Sequence, residues 1–206
     1  MLGLKTACLY GWQPLQFGYC IPRNHRSASR KMLRYLAGEK VKAKEIREIL
    51  RQYVAAYPMY LLIAQKNKIK DPFTDKVVRA YWLGNGLLAR AGGFKAHHSH
   101  HVYYVGSASG AITFNDQLRD LCRIAWGQVE KKSQVLTVVY QPVKKKNHSY
   151  YLAKPIKKRI AWNRAILPQV EIGDWVSIHW QQAVAVLSYK DRKNLEKYTQ
   201  QTLTSL

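Results

Sequence analysis

The sequence predicts an α+β fold: a mostly helical region over residues 1–115 ending in a histidine-rich strand, then a small OB-like β-barrel with a C-terminal helix over residues 116–206. Three observations carry this expectation. Apolar residues recur at three-and-four spacing through residues 41–66. After Asp116 the period falls towards two, in short β-branched and aromatic runs separated by turns. Hydrophobic residues make up 47% and aromatics 12% of the 206, enough for a packed core, which excludes wholesale disorder.

Taken in order, the first strong helical stripe is Ile46, Ile49, Leu50, Tyr53, Tyr57, Tyr60, Leu61 and Ala64, with Lys42, Lys44, Arg47, Glu48 and Arg51 on the wet side. Pro58 predicts either two helices or one bent helix. Asp71-Pro72 opens another, through Val77, Val78, Tyr81, Trp82 and Leu83 to a stop at Gly84 or Gly86. Residues 96–105 read as extended. Cys122, Ile124 and Trp126 then alternate with Arg123 and Ala125, and residues 135–140, 150–152 and 159–162 are further strands. In residues 175–180, Val176, Ile178 and Trp180 fall on one face and Trp175, Ser177 and His179 on the other. Five short strands suggest a small barrel. Ser188-Tyr-Lys-Asp191 resembles a capping box and starts a helix carrying Leu195, Tyr198 and Leu203.

Lysine plus arginine number 34 against 12 acids, a net charge of +22. That balance suits an anionic partner, whether nucleic acid, an acidic protein, a membrane surface or an anionic ligand; it also suits a plainly solvated surface. Cys8, Cys20 and Cys122 are odd in number and widely spaced, so a disulfide framework is not expected and a reducing compartment is. Residues 1–12 show no secretory pattern, and the longest apolar run, 53–64, contains Pro58 and falls short of the about 20 residues that span a bilayer. The expectation is a cytoplasmic protein without a membrane span. There is no Walker loop, GxGxxG, GxSxG or CxxC, and Asp116, Asp120 and Asp174 form no obvious catalytic pair. Hydrolysis and phosphoryl transfer are therefore not expected, and an enzyme is the less favoured class.

Four of the seven histidines lie in His97-His98-Ser99-His100-His101. Imidazole is a ligand for zinc, iron, copper and nickel. On a strand, His98 and His100 share one face and His97 and His101 the other, a workable half-site, although packing would use the same residues. Cys20 follows Phe17-Gly-Tyr in a loop near Arg23, His25 and Arg26, neighbours that would favour its thiolate. Cys122 and His179 fall on predicted strands; a thiolate and an imidazole meeting there would suit a soft transition metal. A second functional class is a nucleic-acid-binding module. Its basic, aromatic surface would be Lys144, Lys145, Lys146, Tyr150, Tyr151, Lys157, Lys158 and Arg159.

Two blocks of the second half resemble the small hydrogenase-maturation chaperones of the HypC/HupF type. Cys122-Arg-Ile-Ala-Trp126-Gly127-Gln-Val129 keeps that family's spacing of cysteine, glycine and valine. Gly173-Asp174-Trp175-Val176-Ser177-Ile178-His179, followed by Ala183, Leu187 and a helix, resembles its closing strand and tail. The resemblance implies that Cys122 is a thiolate ligand for iron bearing cyanide and carbon monoxide, with His179 beside it. His98 and His100 would add a site. The implied partners are a hydrogenase large-subunit precursor or other maturation proteins. Cys122 is internal here, Trp126 replaces a proline, and Gln181 replaces a glycine. The whole chain also resembles an uncharacterised prokaryotic family associated with uptake-hydrogenase genes. The blocks are Phe17-Gly-Tyr-Cys20, Val78-Arg-Ala-Tyr-Trp82-Leu-Gly84-Asn85, His97 to Val102, Cys122 to Gly127 and Gly173 to Trp180.

Overall fold

The computed structural model describes residues 2–21, 24–105 and 115–206. The N-terminal segment forms helix α1 (Leu2–Gln16), which the sequence pattern does not announce. Leu4, Ala7, Cys8, Tyr10, Trp12 and Leu15 are all buried, because α1 runs through the centre of the helical core and packs on neighbours around its circumference. A helix apolar on most sides has no stripe to read. Its close approach needs Gly3, where an added Cβ would lie 2.1 Å from the Phe73 carbonyl oxygen.

Helix α2 (His25–Leu36) packs on α1, and the expected break at Pro58 is present as two helices, α3 (Ala43–Arg51) and α4 (Ala56–Lys66). Pro58 stands in the first turn of α4, where its missing N–H costs little. Helix α5 (Asp75–Leu83) stops at Gly84, whose φ of 85° is left-handed. A side chain there would also strike the Tyr198 ring.

The histidine segment is not a strand. His98–His100 form one helical turn, α6, and His101–Val105 a π-helical turn. The imidazole of His97 caps this start by accepting the Ser99 N–H at 3.2 Å. Nor does Cys122 begin a strand: it ends a short helix, α7 (Asp116–Cys122), capped by Asn115, whose side chain accepts the Leu118 N–H at 2.8 Å. In both places local capping chemistry outcompetes the alternation of apolar residues.

The strands are β1 (Ala125–Lys132), β2 (Leu136–Tyr140), β3 (Val143–Lys146), β4 (Ser149–Leu152), β5 (Ile156–Ile160), β6 (Trp175–His179) and β7 (Gln182–Val186). Five of them form an antiparallel sheet in the order β5-β2-β1-β6-β7, while β3 and β4 make a separate hairpin. The expected barrel is not closed: β5 and β7 are edge strands, joined among the described residues only by a bridge between Ala161 and Gln182 just beyond β5. The sheet has a task on each face instead. Val129, Leu136, Val138, Val176 and Ile178 form a core of their own. Ile124, Trp126, Val184 and Leu187 join the core of the helical region, together with Leu195 and Tyr198 of α8 (Tyr189–Thr204). Ser188 caps α8 as expected, accepting the Asp191 N–H at 3.1 Å.

Among the described residues no helix is long and apolar enough to cross a membrane.

Candidate metal centre

Strand β6 divides its side chains as alternation requires: Val176 and Ile178 enter the sheet's own core, while Ser177 and His179 turn towards α1. There Tyr10 serves both. Its hydroxyl meets Ser177 Oγ at 2.9 Å, and its carbonyl oxygen lies 2.7 Å from His179 Nδ1. A carbonyl can only accept, so Nδ1 carries the hydrogen and Nε2 keeps a lone pair. That Nε2 is buried and has no hydrogen-bond partner. Such orphans are rare in protein interiors, and this one calls for a ligand or an ion.

The atoms it faces come from two other elements. His98, on α6, and Cys122, at the end of α7, each bring one donor atom, and those of Cys122, His98 and His179 all lie within 4.8 Å of one another. His98 Nε2 donates to the Cys122 carbonyl at 2.8 Å, leaving Nδ1 to accept the Tyr81 hydroxyl at 3.1 Å. Both imidazoles thus give one N–H to a backbone carbonyl, the outer bond by which metal-ligating histidines are oriented. Ions with bonds of about 2.0–2.3 Å hold tetrahedral donors roughly 3.5 Å apart, so binding needs only a modest contraction.

The three donors open onto a cavity of about 40 Å³ that is also lined by Cys20, His101, Tyr81 and Trp82. A single water needs about 10–15 Å³ of such space, so one ion with a small ligand fits. Burial pushes the Cys122 thiol up to about 12. Burial also raises the Cys20 thiol. It lowers His179 to about 4 and His101 to about 4, and takes His98 well below its ordinary value, with the nearby His179 adding to the effect. At pH 7 the metal-free protein presents neutral imidazoles and a protonated Cys122 thiol at this centre. An incoming ion must displace the thiol proton and, at His98 Nδ1, the Tyr81 hydroxyl, while His179 Nε2 offers a free lone pair; neither imidazole has a proton to release. Among the described residues no carboxylate or ammonium lines the cavity. The charge of an ion must therefore be balanced by thiolate: Cys122 balances one positive charge, Cys122 with Cys20 two.

The sequence-derived candidates separate accordingly. Cys122 and His179 meet, and His98 joins them. His100 does not, because a helical turn carries it away from His98; it is partly exposed and its ring stacks on Tyr104 with centroids 4.5 Å apart. His97 is buried against Tyr198, and burial lowers its pKa to about 3. Cys20 and His101 reach the cavity wall; Arg23, expected to favour the Cys20 thiolate, lies outside the described residues. The basic surface is present on the β3–β4 hairpin and β5, where Lys144, Lys145, Lys146, Lys157 and Arg159 are exposed and Lys158 is half-buried. Tyr151 is exposed, but the Tyr150 ring is buried and its hydroxyl donates to Asp116 at 2.6 Å, so it offers no stacking face.

A family model matches residues 2–95 and 91–206. The chain belongs to the family of unknown function DUF6390. No curated protein and no solved structure matches the chain. Membership of DUF6390 spans both halves, in keeping with a centre to which both contribute. Tyr10, Tyr81 and Trp82 complete that centre; Tyr81 and Trp82 read in sequence as core residues of a helix, and Tyr10 falls in a segment whose helix the pattern does not announce. Nothing in spacing alone marks Tyr10, because its contribution is a backbone carbonyl.

Proposed function

We propose that the protein is an accessory protein of metal-centre assembly, acting for nickel–iron hydrogenase, and that it holds a soft transition-metal unit at Cys122, His98 and His179. The observation that carries this is the meeting of one thiol and two oriented imidazoles in a single buried cavity, with His179 Nε2 unpartnered. Sulfur with imidazole selects zinc, copper, iron or nickel over magnesium and calcium.

The hydrogenase assignment is supported by the resemblance of the Cys122 and Gly173–His179 blocks to the HypC/HupF-type chaperones. It is also supported by the two elements that bring those blocks together. Gln181 takes a left-handed φ of 60°, so the β6–β7 hairpin keeps a tight turn where the chaperones have glycine. Cys122 is internal and has no free amine beside it; here His98 supplies the nitrogen donor next to it. The cargo would be iron carrying cyanide and carbon monoxide, and the client a large-subunit precursor or another maturation protein. Turnover chemistry is not needed for such a role.

Protein purified anaerobically without an affinity tag should contain close to one equivalent of a transition metal, and Cys122→Ala should contain none. In the organism of origin, Cys122→Ala should abolish hydrogenase maturation. Wild-type maturation by that variant overturns the hydrogenase role, and metal content unaffected by it overturns the site.

A further inference from the structure

Cys122, His98 and His179 are at most 7% exposed, so an ion cannot reach them directly. The cavity has two flanks. On that of Cys20, the neighbouring Tyr19 stacks on Trp180 with centroids 4.4 Å apart, and Phe17 packs against Trp180 at 5.7 Å. These rings offer no donor suited to a soft ion, and the one soft donor on this flank, the Cys20 thiol, already lines the cavity itself. The other flank is His101, which lines the cavity and also a surface groove of about 260 Å³. His97 and His100 line the same groove, and Val54 and Ala55, from the bend between α3 and α4, form the lip common to both spaces.

His101 is built for a position between the two. It begins the π turn that follows α6, and π turns inside helices recur at functional sites. It stands three residues from His98, on the same helical face, with ring centroids 6.3 Å apart. Two rings sharing one tetrahedral ion through bonds of about 2.1 Å have centroids roughly 5.3 Å apart, so His101 stands one short step from sharing an ion with His98. An imidazole carries a hydrogen on one ring nitrogen and a lone pair on the other, so His101 has one donor to offer.

We propose that His101 is the transfer ligand through which a soft transition-metal ion passes between the surface groove and the Cys122–His98–His179 centre. The proposal rests on the metal-centre reading above and adds the route. A residue on the route changes how fast the ion arrives and leaves, whereas a resident ligand changes how tightly it is held.

The test uses Co²⁺, whose thiolate charge-transfer band reports arrival at Cys122, in stopped-flow loading and chelator-driven release, with equilibrium competition alongside. His101→Ala should slow loading and release together by about tenfold or more, while the dissociation constant stays within about a factor of three. His101→Cys, which restores a donor, should recover the rates. Phe17→Ala, which thins the aromatic flank without touching the cavity lining, should leave the loading rate unchanged. Unaltered rates in His101→Ala overturn the route. So does a loss of affinity matching the loss of loading rate, which would make His101 a resident ligand, and so does faster loading in Phe17→Ala, which would place the path under the aromatic rings. Failure of the underlying reading is separable: wild-type protein would then show no charge-transfer band that Cys122→Ser removes.

Discussion

At the scale of single residues, burial without charge compensation sets the chemistry of the centre. The Cys122 thiol holds its proton to about 12, and His179 refuses one until about pH 4. Metal uptake near neutrality therefore releases protons from thiols and from no histidine. Between about pH 5 and 9, each unit of rising pH should tighten binding about tenfold if Cys122 alone ionises and about a hundredfold if Cys20 does too. Competition titrations at three pH values measure that slope, and Cys20→Ser should leave it at the smaller value. The same burial has a cost in acid. His179 and His101 fall from 6.5 to about 4, and His97 to about 3. Between those values the unfolded chain binds protons that the fold refuses. Stability is thus complete above pH 6.5 and declines as pH falls towards the folded values, by about 3 kcal/mol each for His179 and His101 and about 5 for His97 once fully expressed. The urea midpoint of metal-free protein should drop between pH 7 and pH 5; an unchanged midpoint would show these rings to be solvated.

Element-scale behaviour turns on how ends are made. The β6–β7 hairpin places two non-glycine residues in left-handed conformation, Trp180 at φ 50° and Gln181 at φ 60°. Turns of this kind normally recruit Asn or Gly, and a bulky residue there carries about 1–2 kcal/mol of strain. Gln181→Gly should therefore stabilise the protein by about 1 kcal/mol in urea unfolding. A destabilisation would mean that Gln181 makes a contact worth more than its strain. At the other end of the same face, Ser188→Ala removes the cap of α8 and should cost about 1 kcal/mol. Both ends were legible in part. The Ser188-to-Asp191 spacing and Gly84 announce themselves because each is a local device, decided within four residues. The turn at Trp180 did not, since its residues are the wrong ones for it, and alternation carried Trp180 onto the strand. Cys122 misled in the same way: alternating apolar residues continue across a helix end as easily as along a strand.

The whole molecule is held together across the division between its helical and β-rich regions. Ile124, Trp126, Val184, Leu187, Leu195 and Tyr198 are buried in the same core as α1, and Tyr10 bonds to both Ser177 and His179. A fragment of residues 116–206 would expose that surface to water. It should show no cooperative urea transition and should bind a hydrophobic dye, whereas cooperative unfolding of the fragment would mean that the sheet's own core suffices. The centre shares this dependence, because His98 comes from one region and Cys122 with His179 from the other.

What the sequence determined by itself is what depends on near neighbours: the helical stripe and its break before Pro58, the stop at Gly84, the inward and outward faces of β6, and the choice of cysteine and histidine as the chemistry to watch. Only the tertiary structure decided that His98 rather than His100 faces Cys122 and His179, that the sheet stays open, and that a carbonyl of α1 fixes the His179 tautomer. The reason is physical. Periodicity and capping are settled by free energies within a few residues, but whether two donor atoms share a cavity depends on contacts between segments up to 169 positions apart, which no local pattern encodes.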